Sequence, residues 1–292
     1  MHSDFQGSDK IGTCSVVAQA VEGVKLELMA EAYSALKSSI KVSHDEMRMV
    51  FSEWNRGDLA DPLVAATADV LGLRDEDGDP LLEKVLDVSR GPILCRGAAA
   101  LAHELAFPAP LVSQAAFCVY LSGMKDERVD ASAVLTGPKS APSGEKHAMI
   151  EELRKALLAS LIICYAEAYS LLAAAKIGKD EARRSLDEAL SAVAAAAAVA
   201  RGHCRAHESI LLDASIKSKM DPCLASLRRI CSRSAEGGFH MPGFWAALSF
   251  YEGFRSTWLP TNMVVAIRDG REGTGYERID RPRGDSFHSD WK

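Results

Sequence analysis

The sequence predicts an all-α fold, and three observations support this prediction. Apolar residues recur at three- and four-residue steps through long stretches, most clearly in 150–176 (IEELRKALLASLIICYAEAYSLLAAAK). Helix-start signals are frequent, among them the capping box Ser43-x-x-Glu46. The sequence contains no period-2 alternating run bounded by turn residues, which is the usual signal of a strand.

The predicted helix 150–176 is apolar on nearly every side, which is typical of a helix that is buried in a domain or crosses a membrane. Glu167 interrupts it near its middle, where a charge is costly in lipid. The uncharged stretch 156–166 is also shorter than the roughly 20 residues that a membrane span needs. We therefore predict a buried core helix, around which the other helices pack, and no membrane span.

The other helices are predicted from their starting and ending residues. Residues 1–12 form a polar lead-in, and Thr13 or Ser15 caps a long first helix that ends near Ile40. The capping box at Ser43 opens the next helix, which Gly57 ends. Three Asp-Pro pairs then supply a capping carboxylate and a proline suited to the first helical position: Asp61-Pro62, Asp79-Pro80 and Asp221-Pro222. The further predicted helices are 62–71, 80–88, 97–105, 110–123, 125–135, 180–200, 222–235 and 242–257.

The chain divides into two related halves, about 13–136 and 145–267. The pentapeptide AEAYS occurs at 30–34 and again at 166–170, and in both halves a lysine and then an Asp-Glu pair follow. A connection rich in Pro, Gly and Ser, 137–146, lies between the halves. Internal duplication explains the match better than chance does, so we predict one domain, 13–267, built from two pseudo-repeats.

Composition narrows the class of protein. With 48% hydrophobic residues the chain can bury a large core, while a net charge of −6 and a pI near 5.8 give no electrostatic footprint for nucleic acid or anionic lipid. Seven cysteines without a C-x-x-C pair indicate reduced thiols in an intracellular compartment. The start, MHSDFQGSDKIG, has no apolar signal segment. The expected location is the cytoplasm or an organelle matrix, such as that of the mitochondrion.

Two further stretches leave alternatives open. The tail 268–292 is polar and rich in glycine but carries Tyr276, Ile279, Phe287 and Trp291, so it either reaches another surface or is disordered. His203, Cys204 and His207 have a spacing that can bind zinc, but no further ligand group is obvious. For this second stretch we expect ordinary polar or capping roles and no metal.

Several stretches together resemble the C-terminal domain of 6-phosphogluconate dehydrogenase. They are FSEWNRGDL (51–59), TADVLGLRDEDGDPLLEKVLD (67–87), MKDERVDASAVLTGP (124–138), RKALLASLIICYAEA (154–168), ALSFYEGFRSTWLP (247–260) and YERIDRP (276–282). The resemblance implies an internally duplicated all-helical domain and a tail that inserts into the partner subunit of a dimer. It also implies an ancestral reaction, in which NADP on an N-terminal dinucleotide-binding domain oxidises 6-phosphogluconate, which is then decarboxylated. No G-x-G-x-x-G follows a strand pattern in this sequence, so we expect no cofactor and no reaction by this chain alone.

The resemblance places the family's K-x-x-H-N-G-x-E-Y motif on residues 15–23 of the first helix. The family's lysine base, histidine and asparagine become Ser15, Ala18 and Gln19, and its phosphate-binding tyrosine becomes Gly23. Glu22 alone matches, at the position of the acid that protonates the enediol, and it is the one vestigial catalytic candidate. Because a general base contributes about 10²–10⁴-fold to a rate, replacing the lysine by serine removes much of the catalytic power.

The family's phosphate-binding residues are only partly retained. Leu161 stands at the position of a lysine and Thr274 at that of the tail histidine, while Arg201 and Arg268 match two arginines. These two arginines are the candidate phosphate-binding residues, although helix-end or intersubunit salt bridges explain them equally well. The family's glycine-rich segment with Lys-Trp is replaced by RGPILC (90–95).

From these substitutions we predict a catalytically inactive relative that acts as a structural or interaction subunit in a larger assembly. It is expected to form a homodimer or to pair with a related subunit. Two alternatives remain open. One is a sugar-phosphate sensor that binds through Arg201 and Arg268, and the other is the C-terminal half of a split NADP-dependent dehydrogenase.

Overall fold

The computed structural model describes residues 10–138, 144–187, 190–205 and 208–291. These residues form twelve α-helices and short π and 3-10 segments, which confirms the all-α class. The α-helices are α1 (Lys10–Ser34), α2 (His44–Trp54), α3 (Pro62–Gly72), α4 (Arg96–Glu104), α5 (Pro110–Gly123), α6 (Lys125–Val134), α7 (Lys146–Ala174), α8 (Lys179–Leu186), α9 (Ala192–His203), α10 (Ala214–Gly237), α11 (Pro242–Phe254) and α12 (Thr261–Glu272). The chain falls into two compact units that divide between Phe250 and Tyr251.

Helix α7 is the centre of the first unit, as predicted for the core helix. It packs against α10, α1 and α9, and Leu153, Tyr165 and Leu172 on it are fully buried. In the described part of the chain it is the one helix long and apolar enough to span a membrane by length and composition. However, 89% of its apolar window is buried inside the unit. Its hydrophobicity is therefore accounted for by the core of a helical domain.

Local signals set several helix starts correctly. Ser43 accepts a hydrogen bond from the Glu46 amide while the Glu46 carboxylate accepts from the Ser43 amide, which is the predicted capping box of α2. Asp61 caps α3 by accepting from the amide of Leu63 at 2.8 Å, and Pro62 occupies the first helical position.

Several predicted helix boundaries were wrong. Thr13 and Ser15 lie inside α1, whose described part begins at Lys10. The Asp79-Pro80 pair ends a tight loop, because the Asp75 amide donates to the Asp79 carbonyl and only the 3-10 turn Leu81–Lys84 follows. The predicted helix 180–200 is two helices, α8 and α9, and Ser191 caps the second.

The pair Asp221-Pro222 lies within α10, whose capping residue is Asp213. Pro222 removes one backbone donor, but Ile216, Met220 and Cys223 on the same helix are buried. Burial of that apolar face outweighs the loss of a single hydrogen bond, so the helix continues through the proline.

The two halves of the first unit share backbone features that fit the predicted duplication. The helix carrying the first AEAYS ends after a π-helical continuation, Ala35–Ile40, and Lys41 follows; the helix carrying the second, α7, ends at Ala174, two residues before Lys176. Both lysines adopt a left-handed conformation with φ of 60°. Such a residue commonly terminates a helix, so the repeats end their first helices in the same way.

The second unit contains α12 and the segment after it. Helix α12 was not predicted, and it runs through Arg268, where the predicted tail begins. The segment after α12 returns to this helix, with a pair of hydrogen bonds between Tyr276 and Phe287. The buried carboxylate of Asp269 accepts from Gly275 N, Ser289 N and Trp291 Nε1 and contacts His288 Nδ1. One side chain thereby anchors both ends of the returning segment.

Candidate functional site

A pocket of about 410 Å³ lies where α1, α3 and α8 meet. Ser15, Ala18, Gln19 and Glu22 form its α1 wall, because their three- and four-residue spacing puts them on one face of the helix. The structure therefore brings three substituted motif positions and the retained Glu22 to a single cleft. Glu22 is exposed there, and Gln19 donates to Ser15 at 3.3 Å.

The floor of this pocket is an ion pair that sequence reasoning missed. Lys25 Nζ lies 2.7 Å from Asp61 Oδ2, and the two side chains are 3% and 5% exposed. Asp61 also accepts from the Leu63 amide, and its own amide donates to Asn55 Oδ1. The available signal was a lysine on the face of α1 that otherwise buries Val21, Val24 and Leu28.

The substituted segment 90–95 packs against Gly23, the last residue of the motif. A side chain at Gly23 would place its Cβ 2.6 Å from Cys95 Sγ and 3.0 Å from Leu94 Cβ. The Cys95 thiol donates to the carbonyl of Ala20, and Cys95 is buried. The space that the expected tyrosine needs at position 23 is therefore filled by this segment.

Arg201 is buried in α9 and lies outside the lining of the pocket. Its Nη1 donates to the carbonyls of Arg205 and Glu208, at 3.3 and 3.0 Å. Burial lowers the pKa of this guanidinium below its usual value. In this arrangement Arg201 satisfies carbonyl groups beyond the end of α9.

Arg268 belongs to the second unit, where its side chain is 62% exposed and its Nε lies 3.5 Å from Glu272. Thr274, at the position of the family's histidine, is exposed in the same unit. Leu161, at the position of the family's lysine, is a buried core residue of α7. Thr274 and Leu161 are uncharged, in contrast to the histidine and lysine that the family has at these positions.

Of the three residues with a zinc-like spacing, the structure describes His203 and Cys204. His203 Nδ1 lies 3.0 Å from Asp213, and the buried Cys204 thiol donates to the carbonyl of Ser209. His207 lies outside the described residues. A different group, Glu27, Glu31 and Cys118, places its potential ligand atoms within 4.8 Å of one another.

The chemical capacity of the pocket follows from its side chains. It offers the hydroxyls of Ser15 and Ser185, the amide of Gln19 and the carboxylate of Glu22. Lys25 is the one basic side chain in its described lining, and Asp61 holds it. In its described lining, Lys25 is engaged by Asp61, and the Glu22 carboxylate is the other side chain with acid–base capacity.

The family model described as "6-phosphogluconate dehydrogenase, C-terminal domain" matches residues 14–183 and 188–291. The chain is 34% identical to a decarboxylating 6-phosphogluconate dehydrogenase of Rattus norvegicus, with 99% of this chain and 62% of that protein aligned. It is 31% identical to the Escherichia coli (strain K12) protein of the same description, with 98% of this chain and 63% of that protein aligned. The chain therefore spans about 62% of the length of these relatives.

The fold is also similar to that of a solved structure of Plasmodium falciparum 6-phosphogluconate dehydrogenase. The TM-score is 0.88 at 24% identity, and the match covers 95% of this chain and 62% of that one. At this level of identity the likeness concerns the fold alone.

Proposed function

The chain belongs to the 6-phosphogluconate dehydrogenase family, whose C-terminal domain it matches, and from this premise we propose that it is a catalytically silent member that serves as an interaction subunit. The observation that carries the proposal is the α1 wall of the pocket. Ser15, Ala18 and Gln19 occupy the positions at which the family resemblance requires a lysine, a histidine and an asparagine.

Two further features support the loss of chemistry. The amine nearest to the motif, Lys25, is buried against Asp61, and removing it from that partner would leave a buried carboxylate uncompensated. Gly23 is packed against Cys95, so the position of the phosphate-binding tyrosine cannot accept even a methyl group without a shift. These changes preserve the fold of the cleft while removing its reactive groups.

A rate assay tests this part of the proposal. The purified chain, alone and mixed with the isolated nucleotide-binding domain of the Escherichia coli relative, is assayed for NADP reduction in the presence of 6-phosphogluconate. We expect no rate above background for the chain alone or for the mixture. The intact relative is the positive control. Turnover that depends on this chain would overturn the proposal.

Exposed apolar side chains support the interaction role. On α12, Met263, Val264 and Ile267 lie at three- and four-residue spacing and are exposed. On α5, Phe117 and Tyr120 are exposed with their ring centroids 6.0 Å apart. Clusters of this kind commonly mark protein interfaces. We propose that the partner is a second copy of this chain or a related subunit.

Light scattering tests the association. We expect a dimer for the full chain and a weaker dimer for a chain ending at Glu272, which keeps α12 whole and removes the segment after it. A full chain that stays monomeric at high concentration would contradict the interaction role.

The second candidate function is the C-terminal half of a two-chain dehydrogenase. It is favoured by one observation, the persistence of a pocket at the motif with Glu22 exposed inside it. The mixed-chain rate assay separates the two functions. The sugar-phosphate sensor has less support, because Arg201 donates to two carbonyls and Arg268 is near Glu272.

A further inference from the structure

The polar groups that line the pocket at the motif are mostly hydrogen-bond acceptors. The amide nitrogen of Gln19 donates to the Ser15 hydroxyl at 3.3 Å, and Gln19 Oε1 has no donor among the described residues. The Ser185 hydroxyl on α8 donates to the carbonyl of Glu181 at 2.7 Å, so its oxygen is left to accept. The Glu22 carboxylate likewise accepts from no donor in the described part of the chain. A ligand that is rich in donors would satisfy these groups.

The charge of the pocket narrows the choice of donor. Lys25 and Asp61 lie 2.7 Å apart at the floor and neutralise each other. Glu22 is exposed in the pocket and has no counter-ion among the described residues. The described lining therefore carries one uncompensated negative charge, which repels carboxylates and phosphates and attracts cations.

Carbon atoms supply the rest of the lining. Ala18 belongs to α1, Pro62 and Leu63 begin α3, and Leu186 ends α8. The volume of about 410 Å³ lies within the range of roughly 300–1,000 Å³ that is usual for small-molecule sites, which combine apolar walls with a few polar groups. The space is larger than a metal ion needs and suits a compact organic molecule.

We propose that this pocket binds a small organic molecule with a primary ammonium group. An ammonium has three N–H donors and no acceptor, which matches the acceptor oxygens of Glu22, Gln19 and Ser185. Its charge pairs with the Glu22 carboxylate in a charge-assisted hydrogen bond. The inference rests on the proposed loss of catalysis: a cleft without the cations that the family resemblance expects there now favours a ligand of the opposite charge.

Three sugars of similar size and different charge test the proposal by calorimetric titration of the full chain. They are D-glucosamine, D-glucose and D-gluconate, used at about pH 6.5, where the amine is protonated. We expect D-glucosamine to bind at least about tenfold more tightly than D-glucose, no heat with D-gluconate, and weaker D-glucosamine binding as salt is added. Equal affinity for D-glucosamine and either of the other sugars would overturn the proposal, and so would the absence of D-glucosamine binding up to millimolar ligand.

Glu22→Gln removes the charge from the pocket and keeps the shape of the side chain. Because Glu22 is exposed, the variant should fold like the wild type, which circular dichroism checks. We expect its affinity for D-glucosamine to fall about tenfold, so that the preference over D-glucose is lost. Glu104→Gln, on the exposed end of α4 and outside the lining, is the matched control and should bind like the wild type. Unchanged D-glucosamine binding by Glu22→Gln would place the amine elsewhere and overturn the proposal.

The rate assay and the titration fail separately. Turnover in the mixed-chain rate assay would overturn the proposed function, whatever the result with D-glucosamine. Absence of D-glucosamine binding by a chain that also shows no turnover would overturn the ammonium site alone.

Discussion

Lys25 and Asp61 form an ion pair of 2.7 Å whose side chains are 3% and 5% exposed, at the floor of the pocket that carries the substituted motif. A buried pair is costly to break, because either partner left alone is an uncompensated charge. The pair joins α1 to the start of α3, where Asp61 is also the helix cap. The Lys25–Asp61 pair therefore stabilises the structure of the cleft.

We expect Lys25→Met to destabilise the fold by roughly 3–5 kcal/mol, because the Asp61 carboxylate remains buried without a cation. Urea unfolding followed by circular dichroism measures the change. The double variant Lys25→Met/Asp61→Asn should recover most of the loss, since asparagine can still cap α3 but carries no charge. A single variant as stable as the wild type would show that the pair has no structural role.

The contact between Gly23 and Cys95 predicts a second double-variant result. Gly23→Ala places a methyl carbon 2.6 Å from Cys95 Sγ and should cost about 1–3 kcal/mol. Adding Cys95→Ala removes the sulfur and should reduce the penalty of the Gly23 substitution. Gly91→Ala is the control, because nothing lies within 4 Å of its added carbon. Equal effects of Gly23→Ala with and without Cys95 would contradict the packing.

Much of this arrangement followed from the sequence wherever the signal was local. The wall formed by Ser15, Ala18 and Glu22 depends only on helical spacing, and α5 begins and ends as its proline and glycine predicted. Lys25 of α1 forms its ion pair with Asp61, the N-cap residue of α3. No local sequence pattern predicts a pairing between residues so far apart in the chain. Pro222 was misassigned because burial along α10 outweighed a local start signal.

Tyr33 and Tyr169 occupy equivalent places in the two repeats but differ in their hydrogen bonds. Tyr33 donates to Glu83 at 3.1 Å and accepts from Lys37 at 3.2 Å, whereas the Tyr169 hydroxyl is buried without a partner among the described residues. Burial raises the pKa of Tyr169 to about 12. We expect Tyr169→Phe to be neutral or to stabilise by about 1 kcal/mol, and Tyr33→Phe to cost about 0.5–1.5 kcal/mol. Thermal unfolding of both variants checks this, and a large loss in Tyr169→Phe would reveal a partner for that hydroxyl.

The hydrogen bonds of Asp269 hold the segment after α12 against this helix. The His288, Trp291 and backbone hydrogen bonds keep the pKa of this carboxyl well below its usual range. A lowered pKa means that the stabilisation is present at neutral pH and is lost as the pH falls below the ordinary value. Asp269→Asn should therefore accelerate tryptic cleavage after Arg283 at neutral pH. Asp280→Asn, whose carboxylate pairs only with nearby Arg278 among described contacts, should not. Unchanged cleavage of Asp269→Asn would show that other contacts hold the segment.

Calorimetric titration of the chain with 6-phosphogluconate tests the central claim, that the family's substrate site has been lost. Leu161, Thr274 and Gly23 stand where the family resemblance places three phosphate-binding residues, so a bound phosphate would lack charge-assisted and neutral hydrogen bonds, the former worth about 1.5–3 kcal/mol each. We predict no heat of binding up to millimolar ligand, for the wild type and for Arg201→Ala and Arg268→Ala alike. Micromolar binding by the wild type that either arginine variant abolishes would contradict the account.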